Sequence, residues 1–197
     1  MKNPFMPAPH TRRPGEASSA PRRLFFALTL PPALRRQMVD WRAAQFPAET
    51  GRPVAQDNLH LTLAFLGNVG AAQERALRAA AGRLRQRPFT LRLDDCGHWP
   101  GAGVVWLGCS RAPRELLQLA EWLRDRAARN GCHQNSLPFH PHISLWRQAT
   151  KPVALPPDTP GWTADVSRFG LWLSAFDNSR VRYTLLQDWP LHRDGPQ

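Results

Sequence analysis

The stretches His60-Leu61-Thr62-Leu63 and His142-Ile143-Ser144-Leu145 share one pattern: a histidine, an apolar residue, a hydroxyl residue and a leucine. Successive side chains of a β-strand point to opposite faces, so each stretch places its histidine and hydroxyl on one face and its apolar residues on the other. A single stretch of this kind is ordinary strand alternation. Two copies about 80 residues apart predict a duplicated unit with one imidazole and one hydroxyl in each half.

The two histidines suggest acid-base chemistry if the two strands face each other across a cleft. An imidazole titrates close to neutral pH, so a neutral base and a protonated acid can coexist there. Such a pair suits in-line displacement at phosphorus, where His60 and His142 would move protons at the attacking and leaving oxygens. Thr62 and Ser144 would donate hydrogen bonds to the non-bridging phosphate oxygens. This chemistry requires no metal and no other cofactor.

A zinc site is an alternative use of the histidines, although the spacing matches no usual zinc pattern. His140 lies two residues before His142, and we predict a loop residue or a supporting partner rather than a ligand. The side chains that could be recruited on paper are His98, Cys109, Cys132, His133, His140 and His142.

The composition indicates a folded chain without a membrane partner. The chain has 197 residues, 42% of them apolar, which is enough for one sizeable domain or two small lobes around a cleft. No apolar run approaches the roughly 18–20 residues of a membrane helix, and residues 1–22 lack the apolar core of a secretory signal. The three cysteines are far apart, which fits a reducing compartment and predicts a cytoplasmic location.

The net charge of +11 attracts polyanions, nucleic acid first among them. However, 24 of the 26 basic residues are arginines in a chain rich in alanine and proline, a bias that a GC-rich genome also produces. Charge alone is therefore weak support for an RNA partner.

Residues 1–22 are rich in proline, arginine and serine and are predicted to form a disordered tail, with a single domain over 23–193. Strands and helices alternate irregularly in this domain, which favours an α+β fold with antiparallel or mixed sheets over a doubly wound parallel one. Strands are predicted over 23–30, 59–66, 89–93, 104–109, 142–147, 169–174 and 182–186, and helices over 31–46, 71–86 and 113–130.

The flanks of both stretches resemble the 2H phosphoesterase superfamily, and within it the bacterial and archaeal RNA 2′,3′-cyclic phosphodiesterases, historically called 2′-5′ RNA ligases. The matching stretches are DNLHLTLAFLG at 57–67 and FHPHISLWR at 139–147, with RLFFAL at 23–28 similar to the first strand. Ser174, Tyr183 and the Trp189-Pro190-Leu191 ending are similar to the last hairpin. The similarity extends from about residue 22 to about residue 192.

This resemblance implies a bilobal fold with two pseudo-symmetric sheets, helices packed outside and a central cleft. It implies metal-independent hydrolysis of RNA 2′,3′-cyclic phosphate ends to 2′-phosphate ends, with reversible 2′-5′ RNA ligation as a second reaction open to the same histidine pair. It also implies His60 as general acid and His142 as general base, although the sequence alone does not order the two roles. We expect a monomer that requires no obligate protein partner.

Three residues in or beside the two stretches differ from the family pattern or have an uncertain direction along the strand. Ser144 stands where the family more often has threonine; it keeps the hydroxyl and loses the methyl group that restricts the rotamer, so we expect activity to be retained. Arg147 matches the family arginine and is predicted to bind phosphate, although strict alternation points it away from His142. Phe65 holds the matching place in the first stretch, as a core residue or as a stacking surface for a base.

Two other functions remain open from the sequence. One is a 2H enzyme that acts on 2′-5′ oligonucleotides or cyclic nucleotides, and the other is a protein that binds RNA ends without turnover. Binding alone does not require an acid-base pair, so the two histidines argue against the second.

Overall fold

The computed structural model describes residues 20–192, which contain ten strands, three α-helices and two short 3-10 helices at Ala48–Thr50 and Gln56–Asn58. Residues 1–19 of the predicted tail and residue 193 of the predicted domain lie outside this range, and Arg22 already belongs to the first strand. The strands are β1 (Arg22–Thr29), β2 (Arg52–Pro53), β3 (His60–Val69), β4 (Phe89–Leu93), β5 (Asp95–Trp99), β6 (Val104–Gly108), β7 (His142–Arg147), β8 (Trp162–Val166), β9 (Arg168–Asp177) and β10 (Arg180–Pro190). The helices are α1 (Pro32–Gln45), α2 (Ala71–Arg83) and α3 (Arg114–Arg129).

The main sheet has two halves that meet between the histidine-bearing strands. Its strand order is β10-β9-β1-β3-β7-β6-β5, with β2 added to β7, and β4 and β8 form a separate pair. All of these pairings are antiparallel in the described part of the chain. β3 and β7 share a single residue pair, Leu61 with Ile143. The predicted α+β class and its two lobes are therefore confirmed, with the two histidine strands at the junction.

The first six residues of β3 and all six residues of β7 share one burial pattern. In both strands the side chains are, in order, half-buried, buried, half-buried, buried, buried and exposed. The register of β3 against β1 shifts so that Leu63 is an extra residue, and that of β7 against β6 shifts so that Leu145 is extra. A bulge of this kind re-aims the residues that follow it. Phe65 and Arg147, two residues after each bulge, therefore return to the face that carries the histidines.

The opposite face of the two strands is the hydrophobic core. Leu61, Leu63, Ile143 and Leu145 are all at most 1% exposed, as the alternation predicts. Helix α3 packs against β3 through a stripe at helical spacing. That stripe consists of the buried Leu116, Leu119, Ala120, Leu123 and Ala127. The two histidines thus begin strands whose other face is held by a packed core.

Three strands, β2, β5 and β8, lie outside the sequence prediction, and three predicted strands, β3, β9 and β10, are longer than expected. β5 shows no clean alternation, because its central Gly97 lies under the ring of Trp106 on the neighbouring strand. β8 is a five-residue strand paired only with β4. β3 continues past Gly67, where the predicted strand ends, because this glycine adopts a φ of +70° beside a second register shift within the strand.

Candidate active site

His60 is held at the start of β3 by two hydrogen bonds. Its Nδ1 lies 2.7 Å from the carbonyl oxygen of Asn58, and its Nε2 lies 2.8 Å from Oγ1 of Thr62. A carbonyl oxygen only accepts, so Nδ1 carries the proton and Nε2 of the neutral ring accepts from the Thr62 hydroxyl. The rings of Phe25 and Tyr183 each pack against the imidazole with centroids 5.0 Å away. The orientation of the His60 ring is therefore fixed by two hydrogen bonds and by two aromatic contacts.

His142 occupies the equivalent position at the start of β7. Its Nδ1 donates to the carbonyl oxygen of His140 at 2.9 Å, which repeats the bond of His60 to the residue two places earlier. The edge of Trp99 packs against the ring, with centroids 4.7 Å apart. Both neutral histidines therefore hold their proton on Nδ1 and present an unprotonated Nε2, which in His60 accepts from the Thr62 hydroxyl.

The single Leu61–Ile143 pair brings the four predicted polar side chains to one place. Antiparallel pairing puts His60 on the same side of that pair as Ser144, and Thr62 on the same side as His142. All four are half-buried, on the face opposite the core. Across the junction of the lobes, each imidazole therefore lies opposite the hydroxyl residue of the other strand.

Arg147 completes this group, against the expectation from strict alternation. The extra residue Leu145 turns Arg147 back toward the histidine face, and the arginine's charge acts on both imidazoles. Buried Arg42 of α1 donates to the Leu145 carbonyl at 2.9 Å and to the Val54 carbonyl at 2.7 Å. The bulge that directs Arg147 is therefore supported from the core side.

Burial is the main influence on both imidazoles and favours their neutral forms. It lowers the pKa of His60 to about 4, against the opposing hydrogen bond to Asn58, and the charges of Arg147 and His142 lower that pKa further. Burial also lowers the pKa of His142, with smaller contributions from the charges of His140 and Arg147. Both histidines are therefore neutral bases near pH 7.

The structure does not assemble the zinc alternative. Across residues 20–192, no group of three or more histidine, cysteine or acidic side chains is arranged to hold a metal ion. His140 lies in the loop before β7, as predicted, and its ring packs against Trp106 and Trp99 with centroids 4.6 and 5.1 Å away. It supports His142 through its carbonyl oxygen.

Several aromatic neighbours of the histidines lie outside the predicted site. Phe25, Trp99 and Trp106 come from β1, β5 and β6, and only the pairing of these strands with β3 and β7 brings them near the histidines. Trp99 and Trp106 belong to none of the stretches that carry the resemblance, and the stretch at 23–28 does not by itself indicate that Phe25 contacts His60. Tyr183 belongs to the hairpin that resembles the family's last one, but its contact with His60 does not follow from that resemblance.

Gly97 offers a test of this aromatic packing. A Cβ at position 97 would overlap the indole ring of Trp106, which is only 7% exposed. We expect Gly97→Ala to lower the free energy of unfolding by about 1–3 kcal/mol, the range for overpacked cores, and to disturb Trp99 beside His142. Denaturant unfolding measures the loss. Gly101→Ala is the matched control because a Cβ there meets nothing within 4 Å; equal stability of the two variants would contradict the packing argument.

Two lobes of antiparallel sheet, with one histidine–hydroxyl strand from each at their junction, match the arrangement that the resemblance to the 2H phosphoesterases implies. Comparison with known proteins identifies the family to which this chain belongs. The chain belongs to the 2′-5′ RNA ligase superfamily, whose family model matches residues 30–175.

The curated relatives include two proteins that are both named RNA 2′,3′-cyclic phosphodiesterase. RNA 2′,3′-cyclic phosphodiesterase of Escherichia coli K12 is 55% identical over 173 residues, which cover 88% of this chain and 98% of the relative. The protein of that name from Thermus thermophilus is 32% identical over 180 residues, covering 86% and 90% respectively.

Solved structures agree with the sequence comparison. E. coli LigT complexed with 3′-AMP superposes with a TM-score of 0.86 at 54% identity, covering 88% of this chain and 99% of that one. TT0787 of Thermus thermophilus superposes with a TM-score of 0.74 at 31% identity, covering 86% and 97%.

Proposed function

We propose that this chain hydrolyses RNA 2′,3′-cyclic phosphate ends to 2′-phosphate ends by a metal-independent mechanism that uses His60 and His142. The observation that supports this proposal best is the repeated arrangement at the lobe junction, where each imidazole has its proton on Nδ1, an unprotonated Nε2 and a hydroxyl residue two places later in the strand. The names of the E. coli and Thermus relatives support the substrate. An E. coli neighbour solved with phosphate supports an anion site in this fold.

In the proposed reaction, Nε2 of His142 takes a proton from water while the water oxygen attacks phosphorus. The bond from phosphorus to the 3′ oxygen breaks, and His60 gives its Nε2 proton to that oxygen, which leaves the phosphate on the 2′ oxygen. Thr62, Ser144 and Arg147 donate to the non-bridging oxygens as negative charge increases. The same steps with an RNA 5′-hydroxyl in place of water form a 2′-5′ linkage, because the 5′ oxygen attacks phosphorus while the bond to the 3′ oxygen breaks.

The acid role of His60 depends on the substrate's charge. Burial and Arg147 hold the pKa of His60 at about 4, so the ring is uncharged near neutral pH. A bound phosphate anion favours the imidazolium form and raises that pKa. The enzyme would therefore acquire its acid when substrate is bound.

Phe65 is proposed as a surface against which the terminal base stacks. The side chain is 59% exposed, which rules out the core alternative, and its ring lies 6.4 Å from that of Phe25 on the histidine face. Flat aromatic surfaces of this kind bind unstacked bases of single-stranded RNA.

The activity is tested with an RNA oligonucleotide that ends in a 2′,3′-cyclic phosphate, incubated with an excess of a metal chelator. We expect quantitative conversion to the 2′-monophosphate, identified by chromatography against synthetic 2′- and 3′-phosphate standards. A strict requirement for added metal, or a 3′-phosphate product, would overturn the mechanism. Salt-sensitive binding without turnover at any pH would instead favour the RNA-end-binding alternative.

We also propose that the enzyme acts as a monomer in the cytoplasm. All three cysteines are free, and burial raises the pKa of each thiol, which suits a reducing compartment. Over residues 20–192, no helix is long and apolar enough to span a membrane. A mass near 22.2 kDa by light scattering in solution is the expected result, and a stable dimer would contradict it.

A further inference from the structure

A pocket beside the histidines collects three arginines from three strands. Arg52 of β2, Arg147 of β7 and Arg180 of β10 line it, together with Asn58 and Tyr183. We call these five residues the arginine pocket. Only Arg147 has a role in the reaction proposed above, so the charges of Arg52 and Arg180 need another explanation.

Two of these arginines face each other without an acidic partner. Arg52 and Arg147 are register partners across β2 and β7, an arrangement that is unfavourable for like charges. Within residues 20–192, no carboxylate lies within 4 Å of the guanidinium groups of Arg52, Arg147 or Arg180. An anion bound between the arginines would remove the repulsion.

The nearby carboxylates pair with other arginines. Asp57 lies 3.6 Å from Arg35, and Asp177 lies 3.3 Å from Arg182. The acidic groups beside the arginine pocket are therefore already partnered, and the pocket keeps a positive charge that suits phosphate, which guanidinium groups bind with matched geometry.

The arginine pocket is continuous with the reaction centre. Tyr183 lines the pocket and packs against the His60 ring. Asn58 accepts from His60 through its carbonyl oxygen, while its side-chain Nδ2 donates to the Val181 carbonyl of β10 at 2.9 Å. A ligand at the histidines can therefore extend directly into the pocket.

We propose that the arginine pocket binds the phosphodiester on the 5′ side of the terminal nucleotide, so that the enzyme selects oligonucleotide ends over cyclic mononucleotides. The inference rests on the proposed function. A nucleotide whose 2′ and 3′ oxygens both belong to a cyclic phosphate has only one chain neighbour, and that neighbour is joined through its 5′ oxygen. The next anion that an RNA end can place beside the histidines is therefore this 5′ phosphodiester.

The experiment compares three substrates with the same base: a 2′,3′-cyclic nucleotide with a 5′-hydroxyl, the same nucleotide with a 5′-phosphate, and a dinucleotide with a cyclic end. We expect kcat/KM to be about tenfold or more higher for the last two, since hydrogen bonds to charged groups contribute at this level. In the variants Arg52→Gln and Arg180→Gln, the ratio of these kcat/KM values to that of the 5′-hydroxyl substrate falls toward one.

Arg182→Gln is the matched control. It removes the same charge from the same strand as Arg180, but its guanidinium pairs with Asp177, so the wild-type ratio is expected to remain. Thermal melts of all three variants check that the fold is intact.

Three outcomes would overturn the inference. The first is a wild-type ratio near one, and the second is a preference that survives both substitutions or falls equally in Arg182→Gln. Each of these leaves the proposed function standing. The third is absence of turnover of all three substrates by the wild type, which overturns the proposed function and this inference with it.

Discussion

Replacing His60 or His142 with asparagine is expected to reduce kcat on an RNA cyclic phosphate by about 10²- to 10⁴-fold, the range for loss of a general acid or base. The asparagine amide can still donate to the backbone carbonyl that each Nδ1 now contacts, at Asn58 or His140. It offers no nitrogen that can exchange a proton in place of Nε2. The substitution therefore removes proton transfer and disturbs the local hydrogen bonding little.

The two single variants should also differ from each other in their pH dependence. Each retains one of the two titrating groups, so each should lose one limb of the bell-shaped profile. The double variant should be less impaired than the product of the single effects, because groups that act as a unit are not additive. Single-turnover rates measured from about pH 3 to about pH 9 supply both comparisons, because this range begins below the pKa of about 4 of His60.

His133→Asn is the matched control for this pair, because His133 is exposed and lies outside the site. We expect its activity to equal that of the wild type. Residual activity above about a tenth of wild type in either site variant would fall short of the expected loss and would show that the residue is not the acid or base.

The core side of the site could be predicted from alternation alone. Leu61 and Ile143 are fully buried because a strand with one polar and one apolar face has only one way to cover its apolar face. Repetition of that pattern also indicated two lobes. The buried face of each strand and the repetition of the pattern depend on residues close together in the sequence, so the sequence alone predicts them.

The direction of Arg147 could not be predicted in this way. It depends on Leu145 being an extra residue in the pairing of β7 with β6, and bulges are a property of two strands rather than of one. The equivalent bulge at Leu63, in the pairing of β3 with β1, exposes Phe65 for the same reason. The two stretches share this deviation as well as their motif, but only the pairing reveals it.

The aromatic surroundings of the histidines required the strand order. Phe25 and Tyr183 reach His60 because β3 pairs with β1, and β1 with the β9–β10 hairpin. Trp99 reaches His142 because β5 and β6 extend the sheet on the other side. Each contact joins residues that are distant in sequence, so no local pattern indicates it.

Replacing Arg147 with glutamine is expected to lower kcat on an RNA cyclic phosphate by about 10²- to 10³-fold, as for loss of one donor to a developing anion. It should also move the pH profile. In the wild type, activity falls with rising pH when the acid loses its proton, and with falling pH when the base gains one. Because the pKa values of both histidines are below 6.5, and that of His60 is about 4, the optimum of kcat/KM should lie below pH 6.5.

The charge of Arg147 lowers the pKa of both histidines, so removing it raises both and shifts the optimum of Arg147→Gln to higher pH. Arg147→Lys separates the two functions of this side chain. Lysine keeps the positive charge, so the optimum should return toward that of the wild type, whereas the planar two-donor contact with phosphate is not restored and kcat should stay low. If the optimum of Arg147→Gln equals that of the wild type while Arg182→Gln is also unchanged, Arg147 does not act on the imidazoles, and its contribution is confined to phosphate binding.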